Sequence, residues 1–306
     1  MIFSFLVVTI IPSYRKTTIG KGRIDQMKLR RNRLMSMGLA LLMPLTLPFP
    51  AFALTAQDPC TTQPYDYQYQ DGQRAISINR VTQADLTYFV VDIQLADVSD
   101  FHAALSGDQP NGALEPISAM ASRDGAVLAI NGDDYGANQY GTIIRNGALL
   151  RSHSTTRNML IVDARGDMSV IADRSNENPS DLSAKLTSDR VWQTFEFGPE
   201  LVRNGQAVAF NSAFDVISTS PTRKEPRTAI GQIGPLHYVI LVVDGRQEGY
   251  SAGITLQDLQ QLFVSYGAQT AMNLDGGGST ELWFQGQILN QPCGGEERYV
   301  SDAIYF

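Results

Sequence analysis

The sequence predicts an α+β fold, a strand-rich mixed sheet with a few packed helices. Three observations support this fold class. Apolar runs of strand length recur along the chain, turn signals such as Asn-Gly separate several of them, and helical spacing of apolar residues is confined to short stretches. No internal repeat and no heptad pattern is present. The 306 residues suit one sizeable domain, or one domain with a small N-terminal extension.

The first 53 residues have the pattern of an export leader. A basic segment at 27–33 precedes a largely apolar stretch, and Ala51-Phe52-Ala53 matches a small–x–small cleavage site. Met27 is a better start for a leader of ordinary length than Met1. The alternative, an uncleaved membrane anchor, is disfavoured by three prolines at positions 44, 48 and 50. We therefore expect a secreted, periplasmic or cell-envelope protein with no stable membrane insertion after cleavage.

The chain that follows the leader is strongly acidic. The leader holds eight Lys/Arg and one Asp, which leaves 16 basic and 30 acidic residues, a net charge of −14 against −7 for the whole chain. This balance repels nucleic acid and anionic membrane surfaces, so neither is an expected partner. An anionic substrate would need a local cluster of arginines to hold it.

Cys60 and Cys293 are the only cysteines, and both follow the leader. In an oxidising compartment we expect them to form a disulfide that ties the start of the mature chain to its C-terminal region. Unpaired thiols and an intermolecular bond are the alternatives. The three histidines are scattered, so no zinc site and no cofactor is expected.

The stretch from residue 54 to residue 124 predicts a strand-rich extension. Residues 54–72, rich in Gln, Tyr and Pro, are expected to form a loosely docked lead-in segment. The patterns then predict strands at 76–81 and 88–95 and short helices at 101–105 and 115–123, the second ending at Asp124-Gly125.

The remaining elements alternate between strands, turns and one clear helix. Residues 127–130, 238–243 and 271–274 are apolar runs typical of buried strands. Hairpin signals lie at 145–147, 165–167, 204–205 and 285–286, and the polar stretch 173–189 predicts a surface loop with at most a helical turn. A helix is predicted over 256–266, with Thr255 and Asp258 as a capping box and Gly267 as its C-terminal residue.

The most informative stretch is Asn-Leu-Asp-Gly-Gly-Gly-Ser at 273–279, directly after a short apolar strand. Glycine loses the most backbone entropy on ordering, so three in a row predict a close approach of backbone N–H groups to a ligand such as phosphate. Asp275 beside this loop suggests chemistry as well as binding. The alternative is a flexible Gly/Ser turn.

Three further polar clusters lie at strand-like runs or turns, at 131–135, 227–231 and 244–246. Loops at strand ends are common places for functional sites, so we expect the four clusters to converge.

In this order, and with the glycines intact, the clusters resemble the phosphodiester glycosidase family. The resemblance runs from about residue 127 to residue 306 and also rests on Gly-Pro-Glu-Leu-Val at 198–202 and Arg-Tyr-Val-Ser-Asp-Ala at 298–303. Two departures are evident. Family members often carry Gly-Gly and an aromatic after the Asn, where this chain has Gly132-Asp133-Asp134-Tyr135, and residues 54–120 fall outside the resemblance.

The resemblance implies a catalytic domain over residues 125–306. It implies an exported hydrolase that cleaves the glycosidic C1–O bond of a sugar-1-phosphodiester of the GlcNAc-1-phosphate type. Envelope glycans, other phosphoglycans or teichoic-acid-like polymers would be its substrates.

Such a reaction needs cations on the phosphate and a carboxylate at the sugar. The leaving phosphomonoester has a second pKa of about 6, so it needs clamping by arginine more than a strong acid. The candidate clamps are Arg227, Arg246 and Arg298. The carboxylate must stabilise an oxocarbenium-like state, attack C1 or activate water. Asp275 is the first candidate, with Asp244 and Glu281 next.

Further polar groups are candidates for binding the sugar or the phosphate. They are Asn131, Thr228, Asn273 and the loop residues Gly276, Gly277, Gly278 and Ser279. Asp133 and Asp134, together with Asp244, could hold Ca²⁺ through oxygen ligands, although no EF-hand spacing is present.

Each candidate also has a structural interpretation. Asp275 or Asp244 could cap a turn, Arg246 could be solvated, and Glu281 lies on a predicted strand. Arg227 could pair with Asp215 or Glu225, and Tyr135 and Trp283 are expected to pack rather than bind sugar. At the level of function the alternatives are a non-catalytic envelope module that binds phosphorylated glycans and a metal-dependent phosphodiesterase. The oligomeric state, the sugar, its anomer and the aglycone stay open.

Overall fold

Antiparallel pairing of apolar strands builds the fold. The computed structural model describes residues 65–110, 112–134, 141–211 and 221–306. In chain order their strands are β1 (Tyr67–Gln70), β2 (Arg74–Gln83), β3 (Leu86–Leu95), β4 (His102–Leu105), β5 (Glu115–Pro116), β6 (Leu128–Asn131), β7 (Thr142–Arg145), β8 (Ala148–Ser152), β9 (Asn158–Val162), β10 (Met168–Ile171), β11 (Gln193–Phe197), β12 (Glu200–Arg203), β13 (Gln206–Ala207), β14 (Arg227–Gly234), β15 (His237–Val243), β16 (Thr270–Asn273), β17 (Leu282–Phe284), β18 (Gln287–Ile288), β19 (Tyr299–Val300) and β20 (Asp302–Tyr305). Their α-helices are α1 (Ile117–Asp124), α2 (Pro179–Ser188) and α3 (Leu256–Ser265). This composition confirms the strand-rich α+β class.

The strands divide among five sheets. The largest has the order β1-β2-β3-β15-β14-β16-β12-β13, and a second has the order β18-β17-β6-β20-β4. A three-stranded sheet, β10-β9-β11, and the ribbons β19-β5 and β7-β8 complete the set. Within the described residues every strand pair is antiparallel, so several antiparallel sheets stand where the sequence suggested one mixed sheet.

Burial on both faces explains the continuous apolar sequence of β15 in an antiparallel sheet. Tyr238, Ile240 and Val242 pack in a core shared with strands of the five-stranded and three-stranded sheets. The intervening side chains of β15 pack against α3 on the opposite face. The eight-stranded sheet is therefore the middle layer of the fold, and each fully buried aliphatic side chain in it contributes about 1.5–3 kcal/mol.

Helix α3 begins and ends as its sequence predicts. The Thr255 hydroxyl oxygen accepts the backbone N–H of Asp258 at 3.0 Å, and the hydroxyl donates to the Asp258 carboxylate at 2.7 Å. Gly267 follows with a φ of 80°, the left-handed conformation expected after a helix. The capping box is confirmed, and so is α1, which ends at Gly125 in the same conformation.

The helix predicted at 101–105 is wrong. Residues His102–Leu105 form strand β4, which pairs with β20 at the edge of the five-stranded sheet. A run of five mostly apolar residues does not distinguish a helix from a strand, so the edge of the neighbouring sheet decides its conformation.

The prediction of a loop at 173–189 missed helix α2. Asn178 caps it, because its side chain accepts the N–H groups of Ser180 and Asp181, and Pro179 occupies the first turn. Leu182 and Leu186 are its only large apolar residues, and they pack against β9. Two apolar residues are too few for a helical period to be evident in the sequence.

Strands on both sides of residue 124 share the same sheets. β3 pairs with β15 along seven residue pairs, and β4 pairs with β20. The predicted boundary between an extension and a catalytic domain therefore runs through two sheets, and β1 closes an edge of the largest sheet rather than docking loosely.

Among the described residues, no helix has the length and apolar character needed to cross a bilayer. The predicted leader, residues 54–64 and Cys60 lie outside the described residues.

Candidate active site

The four polar clusters meet at one end of the inner strands of the eight-stranded sheet. Antiparallel register places the start of β14, Arg227, beside Val243 at the end of β15, and it places β14 beside β16. The ends of β15 and β16 therefore lie on either side of the start of β14. The fourth cluster arrives from β6, where the Asn131 side-chain amide donates to the Asp275 carbonyl at 2.7 Å. The predicted convergence is confirmed in geometry.

The glycine loop (residues 275–279) is shaped by what packs against it. A Cβ on Gly276 would lie 2.9 Å from the Pro226 carbonyl oxygen, and Gly277 has a φ of 61°. A Cβ on Gly277 would lie 3.2 Å from Arg246 Nη2, and one on Gly278 would lie 3.3 Å from Arg298 Nη1. The glycines thus let two guanidinium groups approach the backbone closely.

Most backbone donors of the glycine loop are used inside the protein. The Gly276 N–H donates to the Asp275 carboxylate at 2.8 Å, and the Gly277 N–H donates to the Pro226 carbonyl at 3.0 Å. The Ser279 N–H donates to the Gly276 carbonyl at 3.1 Å. These three N–H groups are therefore engaged within the protein and do not form the phosphate cradle that the sequence suggested.

Asp275 is half-buried at the centre of this arrangement. Burial raises the pKa of its carboxyl, and the negative charge of Asp134 adds to the rise. Hydrogen bonds from Ser279 and the Gly276 N–H, and the charge of Arg298, oppose it. The carboxyl group therefore lies beside the charge of Arg298 in a half-buried position, where its ionisation depends on its surroundings.

Arg246 and Arg298 present exposed guanidinium groups next to the loop. Arg246 Nε donates to the buried Glu225 carboxylate at 2.5 Å, and this hydrogen bond raises the pKa of Arg246. The Arg298 backbone N–H donates to Glu281 Oε1 at 2.5 Å. Sequence reasoning considered Glu225 only as a partner of Arg227, and its role as the anchor of Arg246 was missed.

Arg227 lies deeper, beneath the two exposed arginines. Burial lowers its pKa to about 10, with the Glu225 charge opposing the shift and the Arg246 charge adding to it. A pKa of about 10 keeps the guanidinium cationic at neutral pH. The glycine loop therefore has three arginines around it, and among them the charge of Arg298 acts on Asp275.

Asp134 supplies a second carboxylate to the site. Arg157 pairs with both of its oxygens, one of them at 3.0 Å, and the Arg157 guanidinium also lies 5.1 Å from the centre of the Phe197 ring. Burial raises the pKa of Asp134, the Arg157 pair lowers it, and the charge of Asp133 adds a smaller rise. Sequence reasoning named Asp134 as a calcium candidate and as a carboxylate that could alter substrate choice, and it missed Arg157.

The carboxylates considered for calcium are placed apart and engaged with other groups. Arg145 Nη2 donates to Asp133 at 3.2 Å, Arg157 pairs with Asp134, and Asp244 lies in a separate loop. In the described parts of the chain, no group of three or more His, Cys, Asp or Glu side chains is arranged to hold a metal ion.

The side chains of Asn131 and Thr228 are buried and form hydrogen bonds with each other and with a neighbouring loop. The Thr228 hydroxyl donates to Asn131 Oδ1 at 2.6 Å, and the Glu281 N–H donates to the same oxygen at 3.3 Å. Asn273 is also buried, and its amide donates to the carbonyls of Gly198 and Leu274, both at 2.9 Å. These contacts fix the loops that carry Asp275 and Arg298.

Asp244 is buried and fully engaged in structure. Its oxygens accept the Tyr250 hydroxyl at 2.7 Å, the Asn290 amide at 2.9 Å and the Gln291 N–H at 3.1 Å. Burial raises its pKa, and these hydrogen bonds lower it. Asp244 therefore joins its own loop to the loop at 290–291, and a catalytic role for it stays a prediction.

Glu281 is also buried, beneath Arg298. Burial raises its pKa to about 8, while the Arg298 N–H opposes the shift, so the carboxyl is largely neutral at pH 7. Within the described residues its Oε2 has no hydrogen-bond partner. Its position suits support of the Arg298 strand more than contact with a substrate.

The remaining candidates have simpler outcomes. Cys293 is half-buried, contacts Arg246 and forms no disulfide with any described residue. Trp283 packs in a core with α1, as expected. Tyr135 and Asp215 lie outside the described residues, as does Cys60.

Comparison with known proteins identifies a family and a shared fold. Residues 124–306 match the family model described as phosphodiester glycosidase. The zebrafish N-acetylglucosamine-1-phosphodiester alpha-N-acetylglucosaminidase catalytic domain, auto-inhibited by its pro-peptide, superposes with a TM-score of 0.59 and 17% identity over 82% of this chain and 86% of that chain. A hypothetical protein from Synechocystis superposes with a TM-score of 0.58 and 15% identity over 76% of this chain and 62% of that one. At these identities the two structures show the shared fold alone.

A curated relative is closer in sequence. The SPbeta prophage-derived uncharacterized protein YomE of Bacillus subtilis (strain 168) is 33% identical over 196 residues, which are 62% of this chain. The match covers 29% of that protein, so the chain spans less than a third of this relative.

Proposed function

The chain belongs to the phosphodiester glycosidase family, and we propose that it is an exported hydrolase that cleaves the glycosidic C1–O bond of a sugar-1-phosphodiester. The observation that carries the proposal is the placement of Arg246 and Arg298 against the glycine loop, on which Asp275 stands. GlcNAc-1-phosphate is the proposed sugar phosphate, because the zebrafish neighbour is a GlcNAc-1-phosphodiester glycosidase.

The arginines suit the phosphate side of the reaction. Breaking C1–O leaves a phosphomonoester whose second pKa is about 6, so much of its new charge persists at neutral pH. Arg246 and Arg298 are exposed and cationic, and they would hold the phosphate oxygens through forked donors. Arg227 beneath them adds a positive charge in a less hydrated setting, where charge stabilisation is stronger. Together they would bind the phosphate of the diester and stabilise the charge that it gains as it departs.

The carboxylates suit the sugar side. Asp275 would face the anomeric carbon and either attack it, stabilise its positive charge or activate water. Asp134, held by Arg157, would serve as the second carboxylate that this chemistry commonly uses. Burial raises the pKa of both groups, and that places their ionisation nearer to the range in which proton transfer is efficient.

Export to the cell envelope is part of the same proposal. The leader pattern and the acidic balance of the remaining chain support it, and phosphodiester-linked envelope glycans or teichoic-acid-like polymers are substrates of the required chemistry. A disulfide between Cys60 and Cys293 stays a prediction for that oxidising compartment.

The test is the position of a solvent oxygen label. The mature chain from Leu54 would be incubated in ¹⁸O water with a GlcNAc-1-phosphodiester and, separately, with UDP-GlcNAc, with and without EDTA. We expect label in the released sugar, insensitive to EDTA. Label in the phosphate, abolished by EDTA, would identify a metal-dependent phosphodiesterase. Binding of the diester with no turnover would identify a non-catalytic glycan-binding module.

A further inference from the structure

A buried ion cluster lies directly behind the two carboxylates of the site. Arg145 Nη2 donates to Asp302 Oδ2 at 2.7 Å and to Asp133 Oδ2 at 3.2 Å. All three side chains are at most 4% exposed. We call these residues the Arg145 cluster. A buried cluster of this kind adds little net stability, so its position invites a functional explanation.

The Arg145 cluster is linked to Asp275 through one glycine. The Gly132 N–H donates to the Asp302 carbonyl at 3.2 Å, and the Gly132 carbonyl accepts the Asp275 N–H at 3.2 Å. A Cβ on Gly132 would lie 2.5 Å from Asp302 Oδ1, so the carboxyl group packs directly against this backbone. Any shift of the Asp302 side chain therefore displaces the peptide that holds Asp275.

The same cluster is linked to Asp134 through its chain neighbour. Asp133 Oδ2 accepts the Glu196 N–H at 3.0 Å as well as the Arg145 guanidinium. Asp134 follows directly and is held from its other side by Arg157. The backbone at 132–134 is thus fixed between Asp302 and β11, and that backbone carries one carboxylate of the site and bonds the other.

The surroundings of Asp302 act on the ionisation of its carboxyl group. Two carboxyl groups share one guanidinium, and within the described residues Asp302 Oδ1 has no hydrogen-bond partner. An ionised carboxylate with an unsatisfied buried oxygen is costly. Burial and the charge of Asp133 raise the pKa of Asp302 well above its ordinary value, and the charge and hydrogen bond of Arg145 oppose the rise. Burial therefore favours the neutral form of Asp302.

We propose that Asp302 is a positioning residue, which acts through Arg145, Asp133 and Gly132 to set the placement of Asp134 relative to Asp275. The inference rests on the proposed function, in which those two carboxylates serve the reaction. It assigns Asp302 no contact with substrate and no proton transfer. Its side chain is required for shape and for the hydrogen bond with Arg145, so an amide of the same shape should replace it.

The first test separates kcat from KM on a GlcNAc-1-phosphodiester. We expect Asp302→Asn to keep the wild-type kcat, because the amide preserves the shape and can still accept from Arg145. Asp302→Ala and Arg145→Lys should each lower kcat about 100-fold through misplaced carboxylates, with KM little changed because Arg246 and Arg298 stay in place. Asp92→Ala, which removes the His237 partner in β3, is the matched control and should leave both constants unchanged.

The second test does not depend on turnover. The carboxyl of Asp275 is titrated by ¹³C NMR and assigned with Asp275→Asn; the groups that act on it are Asp134, Ser279, Arg298 and the Gly276 N–H. In Asp302→Ala or Arg145→Lys the loosened loop should admit water and lower the Asp275 pKa toward its ordinary value, whereas Asp302→Asn should not change it. Arg145→Lys carries both tests if Asp302→Ala does not fold.

The outcomes distinguish this inference from the proposed function. A folded Asp302→Ala or Arg145→Lys variant with wild-type kcat and an unchanged Asp275 titration would overturn the positioning role. So would an Asp302→Asn variant that loses kcat as the alanine variant does, because the carboxyl would then act as more than a neutral support. If no diester is hydrolysed by the wild type, the proposed function fails, and the NMR titration alone decides the positioning role.

Discussion

Two neighbouring loops of this protein both carry an Asp-Gly pair after an apolar strand, but their aspartates have different surroundings. Asp244-Gly245 follows the apolar strand β15, and Asp275-Gly276 comes one residue after the apolar strand β16. The Asp244 carboxylate is 1% exposed and accepts hydrogen bonds from Tyr250, Asn290 and Gln291. The Asp275 carboxylate is half-buried, accepts from its own loop and lies beside Arg298.

The difference lies in the partners, which come from distant parts of the sequence. The hydrogen bonds to Asp244 join its loop to the loop at 290–291, so that carboxylate holds structure together. The glycine loop is contacted by guanidinium groups from residues 246 and 298, and its carboxylate is the one that we propose for the reaction. An acid at a strand end therefore marks a place where a site can form, and the groups that reach it decide whether one does.

The largest expected effect is on Asp275. Asp275→Asn should lower kcat/KM for a GlcNAc-1-phosphodiester by about 10²–10⁴-fold, the range for loss of a positioned carboxylate. The free energy of unfolding should not fall, because the change removes a charge that burial disfavours. Steady-state kinetics and urea unfolding measure the two quantities. Near wild-type turnover in a pure preparation would show that Asp275 is only a turn cap.

The arginines should give the next largest effect. Arg246→Ala or Arg298→Ala should raise KM about 10–100-fold, since a hydrogen bond to a charged group is worth about 1.5–3 kcal/mol. Replacement by lysine should recover part of the loss, because it keeps the charge without the forked donors. Arg165→Ala, at an exposed turn between β9 and β10, is the control. Equal KM values for all three alanine variants would place the phosphate elsewhere.

Asp244 should affect stability and not chemistry. Asp244→Asn introduces donors where the carboxylate only accepts, so the free energy of unfolding should fall by about 1–3 kcal/mol. The kcat/KM per folded molecule should match that of the wild type. Urea unfolding and an assay corrected for the folded fraction check both statements. A large loss of kcat/KM in a fully folded preparation would make the two loops functionally alike.

The third candidate carboxylate, Glu281, should differ from Asp244 and Asp275 in how it makes the free energy of unfolding depend on pH. Its folded-state pKa of about 8 lies above the ordinary 4.5, so its stabilising contribution is complete below about pH 4.5 and is lost as the pH rises to 8. Glu281→Gln should remove this dependence, and its stability relative to wild type should grow by about 1 kcal/mol per pH unit in that range. Urea unfolding at pH 5, 6 and 7 tests this, and parallel curves would contradict it.

Local patterns in the sequence predict elements whose signals are strong. The capping box at Thr255 and Asp258, the hairpin at Asn146-Gly147 and the apolar run of β15 all appear as expected. Helix α2 and strand β4 do not follow from such patterns, because one has few apolar residues and the other takes its conformation from β20.

Local patterns also predict only part of the site. The convergence of Arg227, Arg246 and Asp275 follows from motifs at strand ends and from antiparallel register, whereas Arg298 reaches the loop from the segment before β19. Asp244 and Glu281 were named as catalytic candidates from the same kind of signal, which carries no information on burial, and their catalytic role stays a prediction; both residues are less exposed than Asp275. Contacts between residues far apart in the chain involve Glu225, Arg157 and Asp302, and local sequence patterns do not predict such contacts.

The most direct measurement is a crystal structure of Asp275→Asn with an uncleaved GlcNAc-1-phosphodiester. Because the substitution removes the carboxylate and keeps the arginines, the diester should remain intact in the site. We expect the phosphate oxygens to lie against Arg246 and Arg298, with the anomeric carbon facing residue 275. A phosphate bound away from these arginines, or a sugar seated at the loop of Asp244, would contradict the account.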